Sequence, residues 1–239
     1  MKLSIIIPAY NEGANIKRTL RELRRSAREL NEPYEIVVVS DGSKDDTAKQ
    51  ARSLKDSHIK VLHYDRNQGK GFALKYGVDH STGGMVTFVD AGGDFDPKHL
   101  GLYIKLAELM DAEIVIGSKR HPMSRVNYPL HRRMMSWLYH WMVRVMFNLK
   151  IHDTQAGFKL FRRKVLVKTL PRLVVKQYAF DLELLAVANR LGFHKITEAP
   201  VNMNYNWAKT ELGPQKITKM LIDTLAIFYR MHILRFYDR

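Results

Sequence analysis

Four short polar segments in the first half of the chain carry the residues best suited to chemistry. Asn11 and Glu12 follow one β-branched run, and Asp41 follows a second. Lys70 stands in a glycine-flanked loop, and Asp90 comes directly after a further apolar run. The carboxyl ends of parallel strands meet at one edge of an open sheet, where ligands bind. The sequence therefore predicts a single crevice that contains these acids and this lysine.

The loop Asn67-Gln68-Gly69-Lys70-Gly71 precedes a predicted helix and suits a diphosphate. Backbone N–H groups at a helix N-terminus and a lysine ammonium both attract phosphate oxygens. The spacing differs from that of a Walker A loop, so an ATPase is a weak interpretation. An ordinary surface turn is the alternative.

Two acids near the end of the fourth predicted strand are candidate metal ligands, namely Asp90 and Asp94. Carboxylate oxygens are the ligands that Mg²⁺ and Mn²⁺ prefer. Such an ion would bridge a diphosphate and offset charge on its leaving group. Asp41 stands at another strand tip, where it could hydrogen-bond a ribose or a base. Ser43 and Asp46 beyond it have the spacing of a helix capping box.

Composition narrows the class of partner. Zero cysteines exclude disulfides, thiolate metal sites and a cysteine nucleophile. A formal net charge of +15 in 239 residues favours an anionic partner: phosphorylated substrate, anionic lipid or nucleic acid. No apolar run approaches the ~18 residues of a spanning helix, so we expect no transmembrane segment. A nucleic-acid-binding module is disfavoured, because no recognised binding motif is present and the acids at the strand ends would have no role.

Hydrophobic periodicity places these residues on an α/β framework. The predicted strands are Leu3–Ile7, Ile36–Val39, Ile59–Leu62, Met85–Val89, Ile114–Ile116, Phe158–Phe161 and Ala199–Asn204. The predicted helices are Ile16–Leu30, Gly71–Val78, Leu100–Met110, Tyr128–Phe147, Leu182–Leu191 and Pro214 to about Phe236. Alternating strands and helices predict a single doubly wound, mainly parallel sheet. We predict one domain over residues 1–210, followed by an amphipathic C-terminal helix over residues 211–239.

The motifs, in this order, resemble those of inverting family 2 glycosyltransferases with the nucleotide-diphospho-sugar transferase fold of the glycosyltransferase A type. The segments that match are Pro8-Ala9-Tyr10-Asn11-Glu12, Asp41-Gly42-Ser43-Lys44-Asp45, Asn67-Gln68-Gly69-Lys70-Gly71 and the Asp90 cluster. Three later segments are similar to the branch that makes dolichyl-phosphate mannose or dolichyl-phosphate glucose: Gly117-Ser118-Lys119-Arg120, Asp153–Phe161 and Phe180-Asp181-Leu182-Glu183. The likeness implies a donor half over about residues 1–118 and an acceptor half over about 119–210.

The resemblance also implies roles for individual residues. Donor binding is implied for Pro8, Tyr10, Glu12, Asp41, Lys70 and Asp90, and acceptor-phosphate binding for Lys119, Arg120, Arg132 and Ser136. Catalytic roles are implied for Asp90, Arg132, Asp153 and Gln155, and metal binding for Asp90 and Asp94. The chain departs from the family pattern at Ser40 in the Asp-Asp-Gly-Ser motif and at Gly92 in the Asp-x-Asp metal motif. Asp94 could restore the missing carboxylate; a catalytically impaired homologue is the alternative.

The reaction implied by the resemblance is transfer of glucose or mannose from UDP-glucose or GDP-mannose to dolichyl or polyprenyl phosphate, with Mg²⁺ or Mn²⁺. A phosphate monoester is largely dianionic at pH 7, so it is already a nucleophile and needs no strong base. A sugar hydroxyl, the alternative acceptor, would need a carboxylate base, and Asp153 is the candidate. The segments around Asp153 and Phe180 are slightly closer to the glucosyl branch.

Two amphipathic segments suit an anionic membrane surface. Tyr128–Phe147 mixes tryptophan and methionine with arginine, and the segment from Pro214 has apolar residues at helical spacing flanked by lysine and arginine. Helices of this kind lie in the headgroup layer. Because the net charge favours an anionic cytoplasmic leaflet, we expect peripheral, monotopic attachment at the cytoplasmic face of a membrane. Packing of the last helix on the core is the alternative.

Overall fold

The computed structural model of the chain describes residues 2–93, 96–126, 130–154, 156–176, 179–203 and 213–238. The strands within these ranges are β1 (Leu3–Ala9), β2 (Tyr34–Asp41), β3 (Ile59–Tyr64), β4 (Met85–Phe88), β5 (Ile114–Ser118), β6 (Arg125–Val126), β7 (Lys159–Arg162), β8 (Ile196–Pro200) and β9 (Asn202–Met203). The α-helices are α1 (Ile16–Arg28), α2 (Thr47–Arg52), α3 (Lys70–Asp79), α4 (His99–Leu109), α5 (Leu130–Phe147), α6 (Arg163–Thr169), α7 (Phe180–Arg190) and α8 (Pro214–Phe228).

The main sheet has seven strands in the order β3-β2-β1-β4-β7-β5-β8. All of its pairings are parallel except those of β7, which runs antiparallel to both β4 and β5. A separate parallel pair joins β6 to β9. The structure therefore confirms the prediction of a mainly parallel sheet, and the reversed β7 carries its residues back toward the centre of the molecule.

The central strands are apolar along their whole length because helices cover both faces of the sheet. Ile5 and Ile7 of β1 are fully buried in a core that also contains Leu20 of α1 and Tyr103 of α4. Ile6, between them, belongs to the core on the opposite face, together with residues of α3, α5, α7 and α8. Successive side chains of a strand point to opposite faces, so this continuous run serves two cores.

The last predicted helix changes pitch before its predicted end. Its α-helical part stops at Phe228, and a π-helical turn follows over Tyr229–Ile233, with a 3₁₀ turn over Phe236–Asp238. Within this segment Met231 and Tyr237 are buried, and Asp238 forms a two-pronged ion pair with Arg190 of α7 at 2.7 Å. The irregular pitch thus accompanies docking of residues 229–238 on α7. None of the helices in the described ranges is both long enough and apolar enough to cross a membrane.

The space around Gly77 of α3 and Gly101 of α4 predicts different effects on stability when each glycine is replaced by alanine. A Cβ on Gly77 would lie 2.4 Å from Cγ2 of Ile6, whereas a Cβ on Gly101 would lie 3.2 Å from the flexible end of Leu30. We expect Gly77→Ala to lower the free energy of unfolding by about 1–3 kcal/mol through overpacking. Gly101→Ala should be neutral or raise it by up to about 1 kcal/mol through helix propensity. Urea denaturation measures both, and equal effects would contradict this packing.

Candidate active site

The predicted crevice forms at the carboxyl edge of the sheet. Lys70 is the first residue of α3, and Asp90 lies just beyond the end of β4. The ammonium nitrogen of Lys70 is 2.8 Å from Oδ1 of Asp90. The structure therefore brings together the lysine and the acid that the sequence placed in separate loops.

These two residues belong to a row of alternating charges. Lys70 Nζ is also 3.8 Å from Oδ2 of Asp181, whose Oδ1 accepts a 2.7 Å hydrogen bond from Nζ of Lys159. Burial disfavours the charge on Lys70, but the carboxylates of Asp90 and Asp181 outweigh it and raise the pKa of the lysine. Burial likewise opposes ionisation of Asp181, yet Lys159 and Lys70 lower its pKa. Neighbours of opposite sign thus stabilise the charged forms of Lys70 and Asp181.

Lys159 is the functional-site residue that the sequence reasoning missed. It is fully buried, and its ammonium group also donates to the carbonyl oxygen of Ala156. A lysine inside the predicted buried strand Phe158–Phe161 was the signal that could have found it, since lysine is almost never fully buried without a partner. Asp181 lies in the first turn of α7, and its carboxylate pairs with Lys159 and Lys70.

Asp41 fixes the loop that carries Lys70. Its side chain is only 3% exposed, and its two carboxylate oxygens accept the backbone N–H groups of Gln68 at 2.7 Å and Gly69 at 3.0 Å. Gly69 adopts a φ of 92°, in the left-handed region that favours glycine. The carboxylate therefore positions the start of α3, and its direct contact with a ribose or base stays a prediction.

The loop after β1 is held by residues that follow β2. Asn11, with a φ of 55°, accepts the N–H of Lys44 on its side-chain oxygen at 2.9 Å. Glu12 donates its backbone N–H to Oγ1 of Thr47 at 2.8 Å. Pro8 and Glu12 are half-buried, and Tyr10 keeps 47% of its surface exposed at the rim of the crevice.

The predicted capping box of Ser43 and Asp46 is wrong. Ser43 Oγ accepts the N–H of Asn11 and donates to the carbonyl oxygen of Ala9, so it faces β1. Helix α2 begins at Thr47, whose N–H donates to Oδ1 of Asp45 at 3.0 Å. The hydroxyl group of Ser43 thus bonds to the loop after β1 and does not cap helix α2.

Two predicted acceptor-site residues at the end of β5, Lys119 and Arg120, contact other predicted site residues. Lys119 contacts Asp153 twice, through its backbone N–H at 3.1 Å and its ammonium group at 3.6 Å. Arg120 donates from Nη2 to Oγ of Ser136 on α5 at 3.3 Å. The field of Lys119 also contributes to the lowered pKa of Asp181. Lys119 and the row of charges around Lys70 therefore interact electrostatically.

Three predicted site groups fall outside what the structure describes. Asp94 and Gln155 lie outside the described residues, and Arg132 belongs to α5 but its side chain is not described. In the described ranges no cluster of three or more His, Cys, Asp or Glu could hold a metal ion. Asp90 alone still suits Mg²⁺ or Mn²⁺, because such ions commonly use one or two carboxylates with substrate phosphate oxygens. A Cβ on Gly157 would lie 2.3 Å from Oδ2 of Asp90, so glycine there preserves the space around that oxygen.

The fold and this site define a nucleotide-sugar transferase of the glycosyltransferase A type. The chain belongs to glycosyl transferase family 2, whose family model matches residues 4–170, and it is a glycosyltransferase. It is 34% identical to a dolichyl-phosphate beta-glucosyltransferase of Trichomonas vaginalis, over 99% of this chain and 76% of that protein. It is 33% identical to the dolichyl-phosphate beta-glucosyltransferase of Drosophila melanogaster, over 91% of this chain and 70% of that one.

Among solved structures, the chain resembles glucosyl-3-phosphoglycerate synthase from Mycobacterium tuberculosis in complex with Mn²⁺, UDP and phosphoglyceric acid. The TM-score is 0.73 at 17% identity, covering 95% of this chain and 77% of that one. At this identity the likeness shows the fold. It agrees with the mixed, mostly parallel seven-stranded sheet described above.

The buried ion pair predicts a large, recoverable loss of stability. Lys159→Met would leave Asp181 buried with only the more distant Lys70, and we expect a loss of about 3–5 kcal/mol in the free energy of unfolding. The double variant Lys159→Met, Asp181→Leu removes both charges and should recover most of that loss. Denaturant midpoints of the three proteins measure this. A single variant as stable as the unmodified chain would contradict the pairing.

Proposed function

We propose that the chain transfers glucose from UDP-glucose to the phosphate of dolichol or a related polyprenol, with inversion at the anomeric carbon. The observation that carries this proposal is the pairing of two basic centres in a family 2 fold. One contains Lys70 between its carboxylates, and the other contains Lys119 and Arg120. The relatives from Trichomonas vaginalis and Drosophila melanogaster are both named dolichyl-phosphate beta-glucosyltransferases. These names favour glucose over mannose and dolichyl phosphate over a soluble acceptor.

The donor half would bind the diphosphate of the nucleotide sugar. Asp90 and Asp181 stabilise the charge on Lys70 and raise its pKa. The loop that Asp41 holds therefore carries a positive charge beside the proposed diphosphate site. A divalent ion, Mg²⁺ or Mn²⁺, bound by Asp90 and Asp94 would offset the negative charge that develops on the departing diphosphate. Tyr10, Pro8 and Glu12 line the rim where the base and ribose would lie.

The acceptor half would hold a second anion close to the first. A phosphate monoester needs orientation and charge compensation but little proton removal, since it is already ionised at neutral pH. Lys119 and Arg120 supply positive charge, and the planar guanidinium can donate two parallel hydrogen bonds to phosphate. Asp153 is buried and bound to Lys119, which suits a carboxylate that orients a basic side chain. Arg132 and Gln155 keep their proposed roles in binding phosphate and sugar hydroxyls.

Activity can be tested by offering UDP-glucose or GDP-mannose together with a short polyprenyl phosphate and Mg²⁺ or Mn²⁺. We expect a glucosylated polyprenyl phosphate to form from UDP-glucose, detected by mass spectrometry. Lys70→Met should reduce kcat/KM for the donor by roughly 10²-fold or more, because it removes a charged group that faces the developing negative charge. No product from either donor with either ion would overturn the proposal.

Asp153→Asn separates the two classes of acceptor within the same assay. If the acceptor is a phosphate, the variant should keep activity within about tenfold, because no strong base is needed. If the acceptor is a sugar hydroxyl, the variant should lose nearly all activity. Urea denaturation of the variant serves as the control for folding.

A pair of helices offers a surface for the lipid. Helix α5 contacts α8 through Tyr139 Oη and Thr224 Oγ1 at 3.1 Å and through the rings of Phe147 and Phe228. The sides of both helices that face away from the core expose large apolar side chains, which we call the outer apolar face. Its members are Met134, Trp137, Leu138, Trp141 and Val145 of α5 and Leu221, Ile222 and Leu225 of α8, with Tyr229 and Ile233 beyond it. Contiguous exposed apolar surface of this kind marks an interaction site.

We propose that the outer apolar face lies in the headgroup layer of an anionic membrane, which would bring the site to a phosphate held by a lipid. Helix α8 would then pack on the core with one side and contact the membrane with the other. Thr224 and Ile227 are fully buried on the core side, while Ile222 and Leu225 are exposed. Peripheral attachment at the cytoplasmic face of a membrane is part of this proposal.

Vesicle flotation tests the outer apolar face with a matched pair of variants. Leu138→Ser, Trp141→Ser removes two exposed apolar side chains from the face, and Leu109→Ser, Met110→Ser removes two from the end of α4. We expect the first to weaken binding to anionic vesicles by about tenfold or more, because each side chain buries apolar area in the bilayer. The second should bind like the unmodified chain. Equal behaviour of the two variants would exclude this face.

A further inference from the structure

A second cavity lies behind the loop that carries Lys70. It has a volume of about 440 Å³ and is lined by Asn67, Gln68, Val174, Val175, Lys176, Lys219, Asp223 and Arg230. Three separate segments therefore enclose it: the loop before α3, the segment before α7, and α8 with its π-helical turn. Neither Lys70 nor Asp90 lines it, although Asn67 and Gln68 belong to the same loop as Lys70.

The cavity is basic. Lys176, Lys219 and Arg230 face one acid, Asp223, which leaves a net charge of +2 if all four are ionised. In the described part of the chain, neither Lys176 nor Lys219 forms a salt bridge. Arg230 donates from Nε to the carbonyl oxygen of Ala226 at 3.3 Å, which holds the side chain against its own helix. Three cationic side chains around one carboxylate suit an anion.

The place of the cavity on α8 indicates which anion. Lys219, Asp223 and Arg230 lie along one side of the helix, beside the exposed Ile222 of the outer apolar face and the exposed Tyr229 beyond that face. A row of basic residues that borders an apolar stripe is the arrangement by which interfacial helices meet lipid phosphates. The volume is ample for a phosphate group, and Asn67 and Gln68 also line the cavity.

We propose that this cavity is a second anion site, which binds a phosphate group other than those of the donor and acceptor. The phosphate could belong to an anionic phospholipid headgroup or be free in solution. In either case the same lysine and arginine side chains would hold it. Its occupation would place a phosphate against the loop that Asp41 and Lys70 share.

The cavity also has a structural link to the active site. Lys176, whose side chain lines the cavity, accepts the backbone N–H of Gly71 on its carbonyl oxygen at 3.0 Å. The N–H groups of Val174 and Val175, in the same wall, donate to Oε2 of Glu183 at 3.0 and 2.8 Å. A bound phosphate would therefore contact a wall that is bonded directly to the first turn of α3.

Two charge reversals one helical turn apart test the site. Lys219→Glu alters the cavity, whereas Lys216→Glu alters an exposed lysine of the same helix that does not line it. Isothermal titration calorimetry with inorganic phosphate measures binding of the free anion. We expect Lys219→Glu to weaken binding about tenfold or more, since each basic group contributes roughly a factor of five. Lys216→Glu should leave the affinity within about twofold, and Asp223→Asn should raise it because it removes the one acid.

A lipid arm distinguishes the two sources of phosphate. Vesicles of phosphatidylcholine with phosphatidic acid are compared with vesicles that carry the same surface charge from oleate. Preference of the unmodified chain for phosphatidic acid, lost in Lys219→Glu but kept in Lys216→Glu, assigns the site to a lipid headgroup. Phosphate binding in solution without that preference assigns it to a soluble anion.

The inference is overturned if the two lysine variants behave alike in both arms, or if the unmodified chain shows neither phosphate binding nor a lipid preference. Transferase activity toward a short polyprenyl phosphate in detergent is measured on the same proteins. Anion binding without transferase activity would contradict the proposed function but support the second anion site. Activity without anion binding would do the reverse.

Discussion

The alternation of charge from Asp90 through Lys70 and Asp181 to Lys159 is the interaction on which the site depends. A charge taken out of water is costly unless a partner compensates it, and here each inner member of the row has two partners. The fully buried lysine on β7 keeps Asp181 ionised, and Asp181 shares Lys70 with Asp90. Removing any one member changes the electrostatic environment of the next. The row therefore couples an antiparallel strand in the middle of the sheet to the loop that carries Lys70.

Around that row, the loops at the edge of the sheet hold one another in place through backbone N–H groups. Asp41 binds the loop before α3, Asn11 binds the loop after β2, and Asp153 binds the end of β5. The first two bonds join segments at the ends of different strands, and the third joins the segment after α5 to the end of β5. Preorganised polar groups of this kind cost little reorganisation when charge develops in a reaction. Several acids that look like ligands in the sequence thus also support the architecture of the crevice.

The strands, the principal helices and the grouping of Lys70 with Asp90 could be predicted because they depend on local periodicity and on strand ends. Three features could not. The role of Lys159 depends on β7 running antiparallel between β4 and β5, a pairing that no local pattern encodes. Ser43 has the spacing of a cap, but a tertiary contact with Ala9 takes its hydroxyl. Helix α8 has a uniform amphipathic pattern, yet docking of Tyr237 and Asp238 on α7 changes its pitch after Phe228.

The hydrogen bonds of Glu183 make the position of the first turn of α3 depend on Tyr237. Glu183 binds the wall segment at Val174 and Val175 and also accepts a hydrogen bond from the hydroxyl of Tyr237. That wall supports the first turn of α3 through Lys176 and Gly71. The ribosome synthesises the chain from the N-terminus, so Tyr237 is added long after Lys70. Contacts between such distant parts of a sequence form late in folding. The first turn of α3 should thus reach its final position only after residue 237 has been synthesised.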